Sequence, residues 1–197
     1  MIWLKIQSKH RRWPALLGSS YTSVLILEFE EPIMVSEQDI KHLRRCIELA
    51  AEAVSLGDEP FGSVLVAANG EVLFEDHNHV ASGDSTRHPE FAIARWAAEN
   101  MTSEARAAAT VYTSGEHCSM CAAAHGWVGL GRIVYASSTE QLVTWLTELG
   151  APTMPIRPLP IHEVVPSAIV EGPVPGLAEQ VHDLHRRFHS KATLSPQ

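Results

Sequence analysis

Apolar and polar positions along the chain predict an ordered series of helices and strands after residue 33. Ser36 is predicted to cap a first helix, with Asp39 in place of the usual glutamate of a capping box, and Gly57 ends it. One face of this helix is apolar at helical spacing: Ile40, Leu43, Ile47, Ala50, Ala51 and Val54. Residues 61–68, an Asn-Gly turn and residues 71–78 then predict a β-hairpin.

The alternation continues to the end of the chain. Further helices are predicted over residues 88–101, 118–130, 139–149 and 177–190, and further strands over residues 110–114, 132–137 and 161–165. Two stretches rich in proline or glycine, residues 152–160 and 166–176, interrupt the later elements. This order is typical of an α/β protein in which a mixed sheet carries helices on both faces.

Composition narrows the functional classes. The chain has 197 residues, of which 45% are apolar and 19% charged, as in ordinary globular proteins. Its formal net charge of −8 disfavours a nucleic-acid partner. The absence of a long apolar run or a secretory signal predicts no membrane association. Three cysteines favour a reducing, cytoplasmic setting over a disulfide framework. We expect one domain, residues 34–197, after an N-terminal extension, residues 1–33, of no clear role.

Two short motifs carry the candidate chemistry, His88-Pro89-Glu90 and Cys118-Ser119-Met120-Cys121. Each lies where a strand or loop leads into a predicted helix, and a helix N-terminus favours thiolates. One histidine and two thiolates make a zinc site with an open fourth position for water. Glu90 is close enough to take a proton from that water and to deliver it to a leaving nitrogen.

Together the motifs resemble the zinc-dependent cytidine deaminase superfamily, and within it the guanine, cytosine and tRNA adenosine deaminases. The resemblance covers about residues 36–137, a motif-bearing core that leaves residues 138–197 as a C-terminal segment. It implies a three-layer α-β-α sandwich with a mixed five-stranded sheet, zinc on His88, Cys118 and Cys121, and Glu90 as the catalytic proton shuttle. Because the family commonly forms dimers, a homodimer is also expected.

The resemblance also implies the substrate-binding residues. Phe61, in Pro60-Phe61-Gly62, corresponds to an aromatic wall of the base pocket, and Asn78 to an asparagine that hydrogen-bonds the base. Two positions depart from the family. Pro89 has no N–H where relatives usually offer an amide to the substrate ring, and His117 replaces the usual proline. Glu116 is either a solvated loop carboxylate or an acceptor for a substrate amino group.

The predicted function is zinc-dependent hydrolytic deamination of a small amino-substituted heterocycle, a purine, pyrimidine or triazine, with water as co-substrate and ammonia as product. The alternatives are a tRNA adenosine, nucleoside or nucleotide deaminase, and a non-catalytic zinc-binding module. A redox dithiol or a structural zinc site fits less well, because the upstream His-x-Glu is unexplained or a fourth ligand is missing. The remaining conspicuous residues are expected to be packing residues: Cys46, Trp96, His125, Trp127 and Trp145.

Overall fold

Helices and strands alternate through residues 35–192, the part of the chain that the computed structural model describes. In chain order they are α1 (Glu37–Leu56), β1 (Gly62–Val66), β2 (Val72–His77), α2 (Pro89–Asn100), α3 (Ser103–Ala108), β3 (Thr110–Gly115), α4 (Ser119–Val128), β4 (Arg132–Ser137), α5 (Thr139–Glu148), α6 (Ile161–Val164), β5 (Val170–Glu171) and α7 (Leu177–Ala192). The predicted extension, residues 1–33, lies outside the described residues.

The strands form one mixed sheet in the order β2-β1-β3-β4-β5. Strand β1 is antiparallel to both β2 and β3, whereas β3, β4 and β5 run parallel to one another. Helices α1 and α7 pack together on one side of the sheet, and α2 packs with α4 on the other. The predicted three-layer sandwich with a mixed five-stranded sheet is confirmed.

Alternation along the buried strands decides which side chains face the site. Val64 and Tyr112 belong to the core cluster beneath α1 and α7. Leu65 and Val111 belong to the second cluster, which includes Ile93 of α2. Because successive side chains of a strand point to opposite faces, residues 63 and 113 also lie on the α2 side.

The first helix begins and ends as predicted. Ser36 and Asp39 form a reciprocal capping box, and Gly57 closes the helix with a φ of 90°. A close approach follows at Gly62, where an added Cβ would lie 2.4 Å from the carbonyl oxygen of Cys46. Only glycine therefore lets β1 pack this tightly on α1.

The structure differs from four expectations based on the sequence. The strand predicted over residues 161–165 is wrong, because this segment forms the short helix α6, which follows Pro160. The first amide of that helix, on Ile161, donates to the Glu116 carboxylate. The fifth strand is instead β5, inside the second stretch predicted to be irregular, and α3 was not predicted. Trp127 is 90% exposed rather than packed.

Among residues 35–192, no helix is long and apolar enough to span a membrane.

A buried ionic network joins α1 to the far edge of the sheet. Arg132 of β4 donates to both carboxylate oxygens of Asp39, at 2.7 and 3.1 Å, and also binds Glu171 of β5. Burial alone would raise the pKa of Asp39, but hydrogen bonds from Arg132, Tyr112 and Ser36 outweigh it and hold that pKa well below its usual value. The contribution of Asp39 to this network therefore depends on its carboxylate being ionised.

Replacing Arg132 with methionine is expected to lower the free energy of unfolding by about 3–5 kcal/mol, because two buried carboxylates lose their cation. Chemical denaturation measures this loss, with Arg95→Met, at an exposed arginine of α2, as the control. Because the folded-state pKa of Asp39 is depressed, the stabilisation is complete above the ordinary pKa of about 3.9 and is lost as the pH falls below it. An equal loss in both variants would contradict the network's role.

Candidate active site

Two helix N-termini bring the three predicted metal ligands together. His88 is the N-cap of α2, Cys118 is the N-cap of α4, and Cys121 lies in the first turn of α4. The two sulfur atoms are 3.5 Å apart, and each lies 3.6 Å from Nδ1 of His88. Among the described residues, this is the group of histidine, cysteine and acidic side chains close enough to hold a metal ion.

These distances fit zinc. Tetrahedral geometry with Zn–S bonds of about 2.3 Å and a Zn–N bond of about 2.0 Å places the sulfurs about 3.8 Å apart and each sulfur about 3.6 Å from the nitrogen. The distances of 3.5 and 3.6 Å therefore require little movement of His88, Cys118 or Cys121. Three protein ligands leave one tetrahedral position for a further ligand.

The three ligand side chains shift one another's pKa values. A hydrogen bond from Cys121, aided by His88, lowers the pKa of the Cys118 thiol to about 4, whereas the pKa of Cys121 is raised by Cys118 and by burial. Burial lowers the pKa of His88, but Cys118, Glu90 and Glu59 outweigh it and raise that pKa to about 9. A thiolate already present beside an exchangeable proton suits binding of a dication, which displaces protons.

Glu90 lies beside this ligand set and is itself almost completely buried. One carboxylate oxygen, Oε1, is 2.9 Å from the Thr113 hydroxyl and 3.1 Å from the Ser63 hydroxyl. Burial raises the pKa of Glu90, although His88 acts in the opposite direction. A buried carboxylate whose pKa is raised above its ordinary value is suited to both accepting and returning a proton.

Phe61 forms an aromatic wall beside the ligands. Its ring is nearly parallel to that of His88, at an interplanar angle of 9° and a centroid distance of 6.5 Å. Gly115, at the end of β3, comes close to the same ring, since an added Cβ would lie 3.1 Å from it. The edge of the Phe61 ring contacts His185 of α7. The wall is therefore supported by the C-terminal helix as well as by the sheet.

Asn78 is fully buried just after β2 and leaves one polar group without a partner. Its Oδ1 accepts the amide N–H of Val80, and its backbone N–H donates to the carbonyl of Phe61, whereas Nδ2 has no hydrogen-bond partner. A buried donor of this kind costs about 1–3 kcal/mol when it stays unsatisfied. The side chain is thus fixed at its oxygen while its amino group remains available to a ligand.

The three other predicted substrate-binding residues, Pro89, Glu116 and His117, differ in their surroundings. Pro89 is buried in the first position of α2. Glu116 uses both carboxylate oxygens to accept the amide N–H groups of Thr139 and Ile161, at 2.7 and 2.8 Å, so it fastens α5 and α6 to the end of β3. His117 is 1% exposed, packs edge-on against His125, and has no hydrogen bond from either ring nitrogen.

Sequence reasoning missed several residues around the site. Ser63 and Thr113 interrupt otherwise apolar inward positions of buried strands, a signal that could have singled them out. Glu59 precedes the Pro-Phe-Gly turn with no periodicity to mark it; burial raises its pKa, and it is close enough to His88 to interact with it electrostatically. His185 follows His182 by three positions on an amphipathic helix that lies beyond the recognised motifs.

Comparison with known proteins places this geometry in a family. Residues 36–137 match the family model of the cytidine and deoxycytidylate deaminase zinc-binding region. The chain is 33% identical over 116 residues to a probable cytosine deaminase of Schizosaccharomyces pombe, which spans 59% of this chain and 70% of the relative. It is 35% identical over 97 residues to the guanine deaminase of Bacillus subtilis, covering 48% of this chain and 62% of the relative.

Two further comparisons concern a relative named for a different substrate and a solved structure with a similar overall fold. A tRNA-specific adenosine deaminase of Haemophilus influenzae is 35% identical over 104 residues, 52% of this chain and 60% of the relative. The fold is similar to that of a guanine deaminase from Nitrosomonas europaea, with a TM-score of 0.60 at 17% identity over 81% of this chain and 87% of that one. The matched region holds both motifs at zinc-binding distances, and the chain belongs to the zinc-binding cytidine and deoxycytidylate deaminase family.

Proposed function

We propose that the protein hydrolytically deaminates a small amino-substituted heterocycle and releases ammonia. The observation that carries this proposal is the placement of Glu90, buried beside a three-ligand zinc set but not part of it. A structural zinc site needs four protein ligands and no adjacent carboxylate. A non-catalytic zinc module would likewise have no use for a buried carboxylate, whose desolvation is costly.

The residues present divide the chemistry between them. His88, Cys118 and Cys121 would hold zinc, which when bound lowers the pKa of a water molecule in its fourth position to about 7. Glu90 accepts a proton from water on its carboxylate as the water oxygen bonds to the amino-bearing ring carbon. It later delivers that proton to the exocyclic amino nitrogen, so that the C–N bond breaks and ammonia leaves. Because the same oxygen atoms serve both transfers, the carboxylate must stay within hydrogen-bond reach of two successive positions.

The walls of the site suit a flat ring with exposed amino groups. The rings of Phe61 and His88 are nearly parallel, with centroids 6.5 Å apart, and such aromatic faces suit contact with a flat ring. Nδ2 of Asn78 offers a donor, and Glu59 is close enough to His88 to interact with it electrostatically. Pro89 offers no donor, so we propose that rings rich in amino groups, such as aminopurines and aminotriazines, are favoured over carbonyl-rich ones.

A second candidate function is deamination of adenosine in tRNA, which the 35% identity to the Haemophilus influenzae enzyme favours. The formal net charge of −8 opposes it, because binding to a polyanion draws on basic surface. An ammonia-release screen separates the candidates when free bases, nucleosides, nucleotides and tRNA are offered to the full chain. Free bases are expected to give the highest kcat/KM, and a preference for tRNA or nucleotides would overturn the proposal.

Replacing Pro89 with alanine is expected to shift base preference by about tenfold towards cytosine and guanine, relative to diaminopurine and aminotriazines. The change adds a backbone N–H at the first position of α2, where no helical hydrogen bond uses it, and a buried carbonyl that gains a partner recovers about 1–3 kcal/mol. Ratios of kcat/KM measure the shift, with Pro158→Ala as the control. Unchanged ratios in the Pro89 variant would show that this position does not contact the substrate.

A further inference from the structure

We propose that Ser63 is a positioning residue that holds the Glu90 carboxylate in its working orientation, an inference that rests on the proposed deaminase function. Ser63 is completely buried in β1, on the face of the sheet that packs against α2. Its hydroxyl lies 3.1 Å from Oε1 of Glu90 and 2.9 Å from the hydroxyl of Thr113. Its known partners are therefore the candidate proton shuttle and one neighbouring hydroxyl.

The sheet register makes this arrangement rigid. Ser63 and Thr113 are directly paired across the antiparallel strands β1 and β3. Directly paired residues point to the same face with their Cβ atoms about 5 Å apart. Both hydroxyls therefore reach the same carboxylate oxygen, one from β1, which is buried throughout, and one from the buried part of β3. The first turn of α2 brings Glu90 down onto this pair.

The Ser63 and Thr113 hydroxyls differ in the acceptors to which each can donate. Each hydroxyl donates one hydrogen. Thr113 has two acceptors to choose from, Oε1 of Glu90 and the carbonyl of Gly115, both at 2.9 Å. Ser63 can donate to Glu90 or to Thr113, and in the second case it leaves Thr113 free to donate to Glu90. With Ser63 present, two hydroxyls can donate to Oε1; without it, Thr113 can turn to the backbone carbonyl of Gly115 and leave the carboxylate unheld.

The other side of the carboxylate borders the metal ligands. Glu90 follows the ligand His88 by two residues, in the first turn of α2. Glu90 thus has one oxygen held by the sheet while the group as a whole faces the ligand set. Loss of the Ser63 hydroxyl would let the carboxylate rotate, lowering the fraction of molecules with a correctly placed proton acceptor without changing the contacts that bind the ring.

The experiment compares four variants of the full zinc-loaded chain. Ser63→Ala removes the hydroxyl, Thr113→Val removes its neighbour with little change in shape, and Thr113→Ser retains that hydroxyl. Ser137→Ala is the matched control, since Ser137 is a buried serine of β4 whose hydroxyl donates to the carbonyl of Ser114 rather than to Glu90. For each variant, kcat and KM are measured on the best substrate from the screen, together with the zinc content and a crystal structure.

Ser63→Ala is expected to lower kcat by roughly 10- to 100-fold, the range for loss of a hydrogen bond to a charged group, with KM within about twofold and zinc unchanged. Ser137→Ala should keep the wild-type kcat, and the kcat of Thr113→Ser should exceed that of Thr113→Val. A kcat for Ser63→Ala equal to that of the Ser137 control would overturn the proposal, as would a change confined to KM. If Ser63→Ala does not fold, the proposal that buried hydroxyls position Glu90 is tested by the two Thr113 variants. A kcat of Thr113→Ser no higher than that of Thr113→Val would then overturn it.

The crystal structures separate this inference from the proposed function. In Ser63→Ala the Glu90 carboxylate is expected to rotate away from its wild-type orientation or to occupy two orientations, whichever substrate the enzyme takes. An unmoved carboxylate would refute the positioning role even if deamination is established. A rotated carboxylate in a protein that deaminates none of the screened compounds would support the positioning role and count against the proposed function.

Discussion

Replacing Glu90 with glutamine is expected to lower kcat by at least ~10³-fold while the protein stays folded and keeps its zinc. General acid–base groups typically contribute about 10²–10⁴-fold, and Glu90 is proposed to act in two proton transfers. Glutamine keeps an oxygen that can accept from the Ser63 and Thr113 hydroxyls, so the buried position stays satisfied. What it cannot do is accept the proton from water.

The matched control for this substitution is Glu99→Gln, which makes the same chemical change on an exposed face of α2. Steady-state kinetics, metal content and thermal unfolding are measured on both variants beside the wild type. The control should behave as wild type in all three. Deamination by Glu90→Gln at more than about a tenth of the wild-type rate would rule out this carboxylate as the shuttle, since that loss is below the usual contribution of such a group.

Replacing Cys118 and Cys121 together with alanine is expected to reduce the zinc content from about one ion per chain to background, and activity with it. One histidine cannot retain the ion once both thiolates are gone, because three protein ligands are the minimum in catalytic zinc sites. Elemental analysis of the purified variant measures the loss. Some loss of folding stability is also expected, because binding free energy adds to folding free energy.

Cys46→Ala is the matched control, because it removes the third cysteine, a fully buried residue in the core cluster beneath α1. It is expected to keep one zinc per chain. Stoichiometric zinc in the double variant would show that the ion binds elsewhere and would separate the two motifs from any metal-dependent activity. Loss of zinc in both proteins would indicate that the variants report unfolding rather than ligation.

Periodicity and capping predicted most of the fold. Ser36 and Gly57 bounded α1 correctly because their capping preferences are local and strong. The weak elements failed for non-local reasons. Strand β5 has two residues and is held by parallel pairing with β4, while the apolar run at residue 161 becomes a helix because Glu116, 45 positions away, binds its first amide. Neither the pairing of β5 with β4 nor the bond from Ile161 to Glu116 can be predicted from local sequence.

For the site, the motif spacing alone indicated His88, Glu90, Cys118 and Cys121 as one cluster, and the described structure brings them together. It could not indicate Ser63, since its relation to Glu90 depends on strand register and on the packing of α2 over β1. Nor could it indicate that both oxygens of Glu116 bind backbone amides. Side chains that act on other side chains are set by tertiary packing, which a linear motif does not encode.

The same limit applies to residues beyond the matched region. His185 is 2% exposed and contacts the edge of Phe61, and burial, aided by His189 and His182, lowers its pKa to about 3. Its position follows from how α7 packs on α1 and β4, a long-range arrangement with no motif of its own. The pocket wall is therefore partly built by a helix whose sequence shows only its amphipathic pattern.

The most direct test of a zinc-dependent hydrolytic deaminase is ammonia release measured against zinc occupancy. The full chain is stripped with a chelator, reloaded with zinc in steps, and assayed on its best substrate from the screen. The expected result is one ammonia per molecule of product, with a rate that rises in proportion to zinc up to about one ion per chain. Ammonia release that is unchanged in the stripped protein, or zinc binding with no ammonia from any base, nucleoside, nucleotide or tRNA, would contradict the assignment.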